Sequence, residues 1–149
     1  MNHHLLLVIH LLSATIWVGG HLLLSIGYLP KALKEKDQNI ILNFEKKYEP
    51  IGMTALILLV ISGVLMAYKY GVNFQYWFQF KTPIEQVISA KLLLLLLTVI
   101  FALSAQICVI PKLRNDSNKL PEMAFHILSV TTIGILMLVF GSFIRFGGF

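Results

Sequence analysis

The chain has 149 residues, of which 57% are hydrophobic and 13% charged, and its net charge is +5. A mean hydropathy of +0.79 is typical of a polytopic membrane protein and excludes an ordinary soluble domain. The single cysteine excludes an intrachain disulfide and a C-x-x-C metal or redox motif.

Four apolar segments, at about 5–29, 50–70, 83–110 and 121–145, each reach the roughly 20 residues that a membrane-spanning helix needs. We therefore predict an all-α integral membrane protein, with residues 1–149 forming a single membrane domain. Short connections favour an antiparallel four-transmembrane-helix bundle of up-down-up-down topology. We expect the first segment to be retained, since no Lys or Arg precedes it and no signal-peptide cleavage pattern follows it.

Several local signals mark the helix boundaries. Pro30 is expected to close the first helix at residue 29, because a residue before proline avoids the helical conformation. Residues 40–48 have helical spacing with charges between apolar positions, which predicts an interfacial lead-in, and Pro50 is expected to bend or restart the second helix. Residues 82–85 (TPIE) predict a capped start of the third helix. The aromatic segment 74–80 fits a membrane-surface belt, or alternatively a lid over a cofactor.

Basic residues are concentrated in the first and third loops, at 31–47 and 112–119. By the positive-inside rule, both loops are expected in the cytoplasm and both termini outside. This sorting explains the net charge without nucleic acid as a partner.

Ionisable residues inside the predicted spans are the strongest functional signal, because each is costly in lipid and needs a partner or a ligand. His10 and His21 are eleven residues apart, hence about 20° apart around the helix and about 16 Å along it. Trp17 lies on the same face. Helix direction places His21 at the inner level with His126, and His10 at the outer level with Lys91, which predicts one site in each leaflet.

The inner pair, two imidazoles from different helices, suits axial ligation of haem b and also suits copper. Met53 and Met123 are expected near the same depth. At the outer level, the candidate companions of His10 are Lys91, Met66 and Tyr68, while His3 and His4 at the outer surface could capture a metal ion or simply be solvated.

The remaining polar residues carry weaker signals. Thr98, Ala102 and Gln106 continue the Lys91 face of the third helix, either as helix contacts or as the wall of a cavity. Glu45 and Glu49 fit a solvated face. No H-E-x-x-H, G-x-S-x-G or phosphate-binding glycine loop is present, which disfavours hydrolysis and phosphoryl transfer. No internal repeat is evident.

Residues 10–20 (HLLSATIWVGG) resemble the first helix of the membrane domain of copper resistance protein D, and residues 90–94 (AKLLL) resemble its lysine-containing helix. The resemblance extends along the whole chain in helix order and loop placement. The related HemJ-type protoporphyrinogen IX oxidases share the spacing of His10 and Trp17, the Leu-Pro-Lys exit at 29–31, and Lys91. The first resemblance implies copper passage or copper resistance at the bacterial inner membrane, in a multi-pass protein with periplasmic termini. The second implies haem b and tetrapyrrole oxidation.

Three functional hypotheses follow. In the first, the protein is a membrane oxidoreductase in which one or two haem b groups pass single electrons between a quinol or tetrapyrrole and a redox partner protein. Its cofactor-binding residues are His10, Trp17, His21, Lys91 and His126, with His21 and His126 as the axial ligands. In the second, the protein handles copper through a ladder across the bilayer, formed by His3, His4, His10, Met66, His21, Met123 and His126. In the third, it is a cofactor-free subunit. Gly19, Gly20 and Ser25 suit packing against a second protomer of a homo-oligomer as well as packing against a helix of the same chain.

Overall fold

The computed structural model describes residues 3–144 and 146–148, and its long elements are all helices. They are α1 (His3–Glu35), α2 (Asn39–Lys69), α3 (Pro83–Asn115) and α4 (Leu120–Ile144). Two 3-10 turns, Phe74–Tyr76 and Ser117–Lys119, lie in the connections. All four helices are long and apolar enough to cross a membrane. The prediction of an all-α integral membrane bundle of four helices is confirmed.

The lateral surface of the bundle, where side chains point away from the neighbouring helices, is apolar. Leu12, Ile26 and Ile107, for example, are 61%, 73% and 71% exposed. An apolar surface of this extent is unfavourable in water, whereas hydrocarbon chains solvate it without cost. The bilayer is therefore the natural solvent of this surface.

The structure corrects the predicted ends of α1 and α3. α1 does not stop before Pro30 but passes through a π-turn at Leu24–Tyr28 and continues to Glu35. Proline lacks an N–H and its ring clashes with the carbonyl four residues earlier, and the wider π-turn accommodates both defects. α3 does the same, with a π-turn at Ala105–Val109 before Pro111, so it ends at Asn115 instead of residue 110.

α2 corrects a third expectation, because it runs unbroken through Pro50. Residues 40–48 are thus the first turns of α2 itself, and the predicted restart at Pro50 is wrong. The predicted end of the fourth span, residue 145, lies outside the described residues, and α4 is described to Ile144.

The bundle consists of two helical hairpins, α1 with α2 and α3 with α4. Both hairpins contain the same arrangement, an ionisable side chain of the first helix packed on a glycine of the second. His10 and Lys91 each lie 20 residues before the proline near the end of their own helix (30 − 10 and 111 − 91). Each then packs on a glycine of the next helix. A Cβ at Gly63 would lie 3.3 Å from the His10 ring, and a Cβ at Gly141 would lie 3.2 Å from the Lys91 Nζ.

The hairpins, α1 with α2 and α3 with α4, contain the most extensive helix contacts, and they are joined mainly where α1 meets α4. The hydroxyls of Ser25 and Thr131 are 2.6 Å apart across that junction. The backbones of α2 and α3, in contrast, approach each other closely at few positions. The space between the hairpins contains two cavities, one above the other, and residues of all four helices line each of them.

The start of α3 is capped as its sequence predicted: the Thr82 hydroxyl accepts from the Glu85 backbone N–H, and the Glu85 carboxylate accepts from the Thr82 N–H. Thr82→Ala is expected to lower the free energy of unfolding by about 1 kcal/mol, because it removes one of these bonds. Unfolding by SDS, followed by circular dichroism, measures the change. Thr132→Ala is the matched control, since the Thr132 hydroxyl only bonds the Leu128 carbonyl of its own helix. Equal effects of both substitutions would contradict the capping role.

Candidate functional site

The inner cavity gathers the metal-capable side chains that the sequence placed at the inner level. His21 from α1, Met53 from α2, and Met123 and His126 from α4 all line it. Met123 is only 2% exposed. Three helices thus contribute two imidazoles and two thioethers to one cavity, and His21 and His126, which the sequence predicted at a common level, both line it.

Hydrogen bonds determine which nitrogen of each inner imidazole carries a lone pair. The Nδ1 of His21 lies 2.8 Å from the Trp17 carbonyl oxygen, and the Nδ1 of His126 lies 3.0 Å from the Glu122 carbonyl oxygen. A carbonyl only accepts, so both Nδ1 atoms carry the proton and both Nε2 atoms are lone-pair acceptors. The His126 Nε2 accepts from the Ser104 hydroxyl at 3.1 Å. Bonds such as those from the two Nδ1–H groups to backbone carbonyls orient metal-binding histidines and fix their tautomer.

Trp17 separates the two cavities, because its side chain lines both of them. It is 6% exposed, and the centre of its ring system is 4.4 Å from that of His21. The sequence singled out Trp17 as a cofactor contact, and the structure places it between the outer and inner sites.

The end of the inner cavity away from Trp17 contains residues that sequence reasoning undervalued. Glu45 and Glu49 line this cavity, and both also line a polar depression beside Arg114. The interpretation of the two carboxylates as part of a solvated face is therefore wrong for Glu45, which is half-buried. The uninterrupted course of α2 through Pro50 carries both residues towards His21.

Tyr48 is the other residue whose role the sequence did not indicate. Its hydroxyl donates to the carbonyls of Ile16 and Trp17, at 3.0 and 3.1 Å. Its ring meets the His21 ring edge to face at 5.8 Å and occupies a slot beside Gly20. Tyr48 thereby fastens α2 to α1 next to His21. Only its position three residues after Glu45 and four residues before Gly52 could have indicated that Tyr48 lies on an inward face of α2.

The outer cavity is lined by His10, Lys91 and Met66, the group predicted at the outer level. Tyr68 does not join them: its side chain is 45% exposed and packs on Trp77, so its selection as a companion of His10 is wrong. A shift of two residues turns a helical side chain by about 200°, and Tyr70 lines the cavity instead. Met137 of α4 also lines this cavity, which the sequence did not anticipate.

Three further expectations concern the walls and the surroundings of the cavities. Thr98 lines the outer cavity while Ala102 and Gln106 line the inner one, so this face of α3 is a cavity wall. Segment 74–80 lines neither cavity, and Trp77 packs beside Phe74 at the outer surface as an aromatic belt would. His3 lies at that surface too, with its ring against Tyr70.

The three residues considered for oligomer packing, Gly19, Gly20 and Ser25, differ in what surrounds them. Gly20 meets Tyr48 of the same chain, and Ser25 meets Thr131, whereas a side chain at Gly19 would meet nothing within 4 Å. Of these three positions, only Gly19 is open to a neighbour.

Within residues 3–144 and 146–148, no three side chains of the His, Cys, Asp and Glu types come close enough together to hold a metal ion. The inner cavity adds the thioethers of Met53 and Met123, a ligand type that suits soft metal ions such as Cu(I).

Comparison with known proteins identifies the family of the chain. Residues 42–144, which make up more than half of the chain, match the family model of copper resistance protein D. No curated protein and no solved structure matches the chain. The chain belongs to the copper resistance protein D family.

Proposed function

We propose that this protein handles Cu(I) within the membrane and holds it in the inner cavity, as part of copper resistance. The observation that supports this most directly is the convergence of His21, Met53, Met123 and His126 on one cavity in a chain of this family. Imidazole and thioether are the side chains that suit Cu(I), and the two Nδ1–H bonds to backbone carbonyls fix the tautomer in which each Nε2 carries the lone pair. The Ser104 hydroxyl, which donates to the His126 Nε2, would give up this bond when copper binds.

The sequence placed haem b first and copper second, and the family match reverses that order. The outer half of the proposed copper ladder is less suitable for a metal cation. Lys91 lines the outer cavity together with His10 and Met66, and its ammonium would repel a copper ion bound there. We therefore propose one principal copper site, at the inner level.

The approach to this site is proposed to be from the cytoplasmic side. Glu45 and Glu49 lie between the inner cavity and the polar depression at the inner end of α2 and α3. Carboxylates at that position attract a cation towards His21. This orientation is part of the proposal: under the positive-inside rule, the basic first and third loops support a cytoplasmic position for both loops and a periplasmic position for both termini in a bacterial inner membrane.

The test is an anaerobic titration of the purified full-length protein with Cu(I) against a chromophoric chelator, with elemental analysis and an absorption spectrum of the isolated protein. We expect one Cu(I) per chain that the chelator competes for reversibly, and no Soret band. A protein that binds no Cu(I) would refute the proposal, and a stoichiometric Soret band that shifts on dithionite reduction would establish the haem hypothesis in its place.

A further inference from the structure

The outer cavity has a chemistry of its own, which copper handling does not use. Its walls are almost entirely aliphatic: Leu56, Leu59, Val60, Val64, Leu92 and Leu95 supply much of the surface. The basic side chains in its lining are His10 of α1 and Lys91 of α3.

Lys91 has no anionic partner among the described residues. Glu122 forms ion pairs with Lys112 and Lys119 instead, near the inner ends of α3 and α4. No carboxylate side chain of residues 3–144 and 146–148 lines the outer cavity. An ammonium among aliphatic side chains is unfavourable unless an anion or strong acceptor stands beside it, so the site lacks the group that would satisfy it.

His10 supplies the complementary half of the site. Its Nδ1 lies 2.9 Å from the Ser62 Oγ, and the Ser62 hydroxyl itself donates to the Leu58 carbonyl. The Ser62 oxygen therefore accepts from His10, which leaves the His10 Nε2 as a lone-pair acceptor. The cavity thus offers a cationic donor on one side and a neutral acceptor on the other.

A carboxyl group matches this pair. Its O–H donates to the His10 Nε2 while its second oxygen accepts from the Lys91 ammonium, and the match persists if the proton moves to the imidazole. A phosphate head group would be bulkier and would bring more charge than one ammonium balances.

The rest of the cavity fits the first part of an acyl chain. On the inner side of the His10 and Lys91 level, the aliphatic walls continue for about 10 Å along α3, from Lys91 to Thr98, and end at Trp17. A long acyl chain exceeds that length, so its far end must leave the cavity. The backbones of α2 and α3 approach each other closely at few positions, so the seam between these two helices is the side on which the chain would reach the bilayer.

We propose that the outer cavity binds a long-chain fatty acid from the bilayer, with its carboxyl group between Lys91 and His10 and its chain directed towards Trp17. The occupant is a lipophilic monocarboxylic acid, and binding is independent of the copper site.

Trp17 provides a direct reporter, because the chain contains only one other tryptophan, Trp77. In a Trp77→Phe background, the full-length protein is titrated in detergent with 9,10-dibromostearic acid, whose bromines quench indole fluorescence at short range. The methyl ester of the same acid is the matched control ligand. We expect the acid to quench Trp17 saturably and the ester to quench it only in proportion to its partitioning into the detergent.

Two variants test the role of the charge. Lys91→Met keeps the length and apolar character of the stem, and is expected to weaken binding of the acid about tenfold or more, whereas Lys91→Arg retains saturable binding. Equal quenching by acid and ester, or an unchanged affinity in Lys91→Met, would overturn the proposal. Circular dichroism and gel filtration of the same Lys91→Met sample show whether the variant is folded, independently of copper binding.

Discussion

His21→Ala and His126→Ala are each expected to reduce the affinity of the purified protein for Cu(I) by about 100-fold or more. Removing a group that merely orients a metal ligand costs about 10- to 100-fold in affinity, so removing a ligand itself should reach or exceed the upper end of that range. Competition with a chromophoric Cu(I) chelator under anaerobic conditions measures the change. Both variants should still insert and fold, because each side chain bonds only within its own hairpin.

His10→Ala is the matched control for these two variants. It makes the same substitution in the same helix as His21→Ala, but in the outer cavity, and should leave the Cu(I) affinity within about threefold of the wild type. Met123→Leu, which preserves volume while removing the sulfur, is expected to fall between the two. Wild-type affinity in both His21→Ala and His126→Ala would exclude these imidazoles from the copper site.

The pairing of His21 with His126 could be predicted because it depends on two regular quantities. Hydropathy locates each span, and the 1.5 Å rise per residue then gives the depth of any position within it. The 100° turn per residue also placed His10, Trp17 and His21 on one face, and all three line the cavities. Depth and face together are enough to indicate which side chains from different helices can meet.

Local breaks in helix regularity were not predictable in the same way. A proline signals the loss of one hydrogen bond, but whether the helix stops, restarts or widens into a π-turn depends on the packing around it. α1 and α3 widen before Pro30 and Pro111, and α2 continues through Pro50. Because α2 continues, Tyr48 and Glu45 belong to the inner cavity, and sequence reasoning assigned that segment to the membrane surface.

The equivalent positions of His10 and Lys91 in the two hairpins were not predictable from the sequence, for a different reason. His10 and Lys91 occupy equivalent positions, yet they are chemically unlike, so no sequence comparison matches them. The glycines that receive them, Gly63 and Gly141, are also inconspicuous in apolar helices. Coordinates show that one hairpin presents an acceptor and the other a cation to the same cavity.

Gly20→Ala is expected to destabilise the protein by about 2 kcal/mol. A Cβ at position 20 would overlap the ring of Tyr48, so the ring must leave its slot and its hydroxyl must give up the carbonyls of Ile16 and Trp17. Overpacking of this kind typically costs about 1–3 kcal/mol, and losing the hydrogen bonds of the Tyr48 hydroxyl to the two carbonyls adds to this cost. SDS unfolding followed by circular dichroism measures the difference in the free energy of unfolding.

Gly19→Ala tests whether the effect arises from the slot or from the helix. A Cβ at Gly19 meets nothing within 4 Å, so the substitution should be neutral or stabilising by up to about 1 kcal/mol, as expected for alanine replacing glycine in a helix. In a Tyr48→Ala background the penalty of Gly20→Ala should disappear, since the two residues interact directly. A penalty that persists without the Tyr48 ring would show that Gly20 is needed for another reason. The cycle therefore isolates one contact, by which α2 holds α1 beside His21 and keeps the inner cavity in shape.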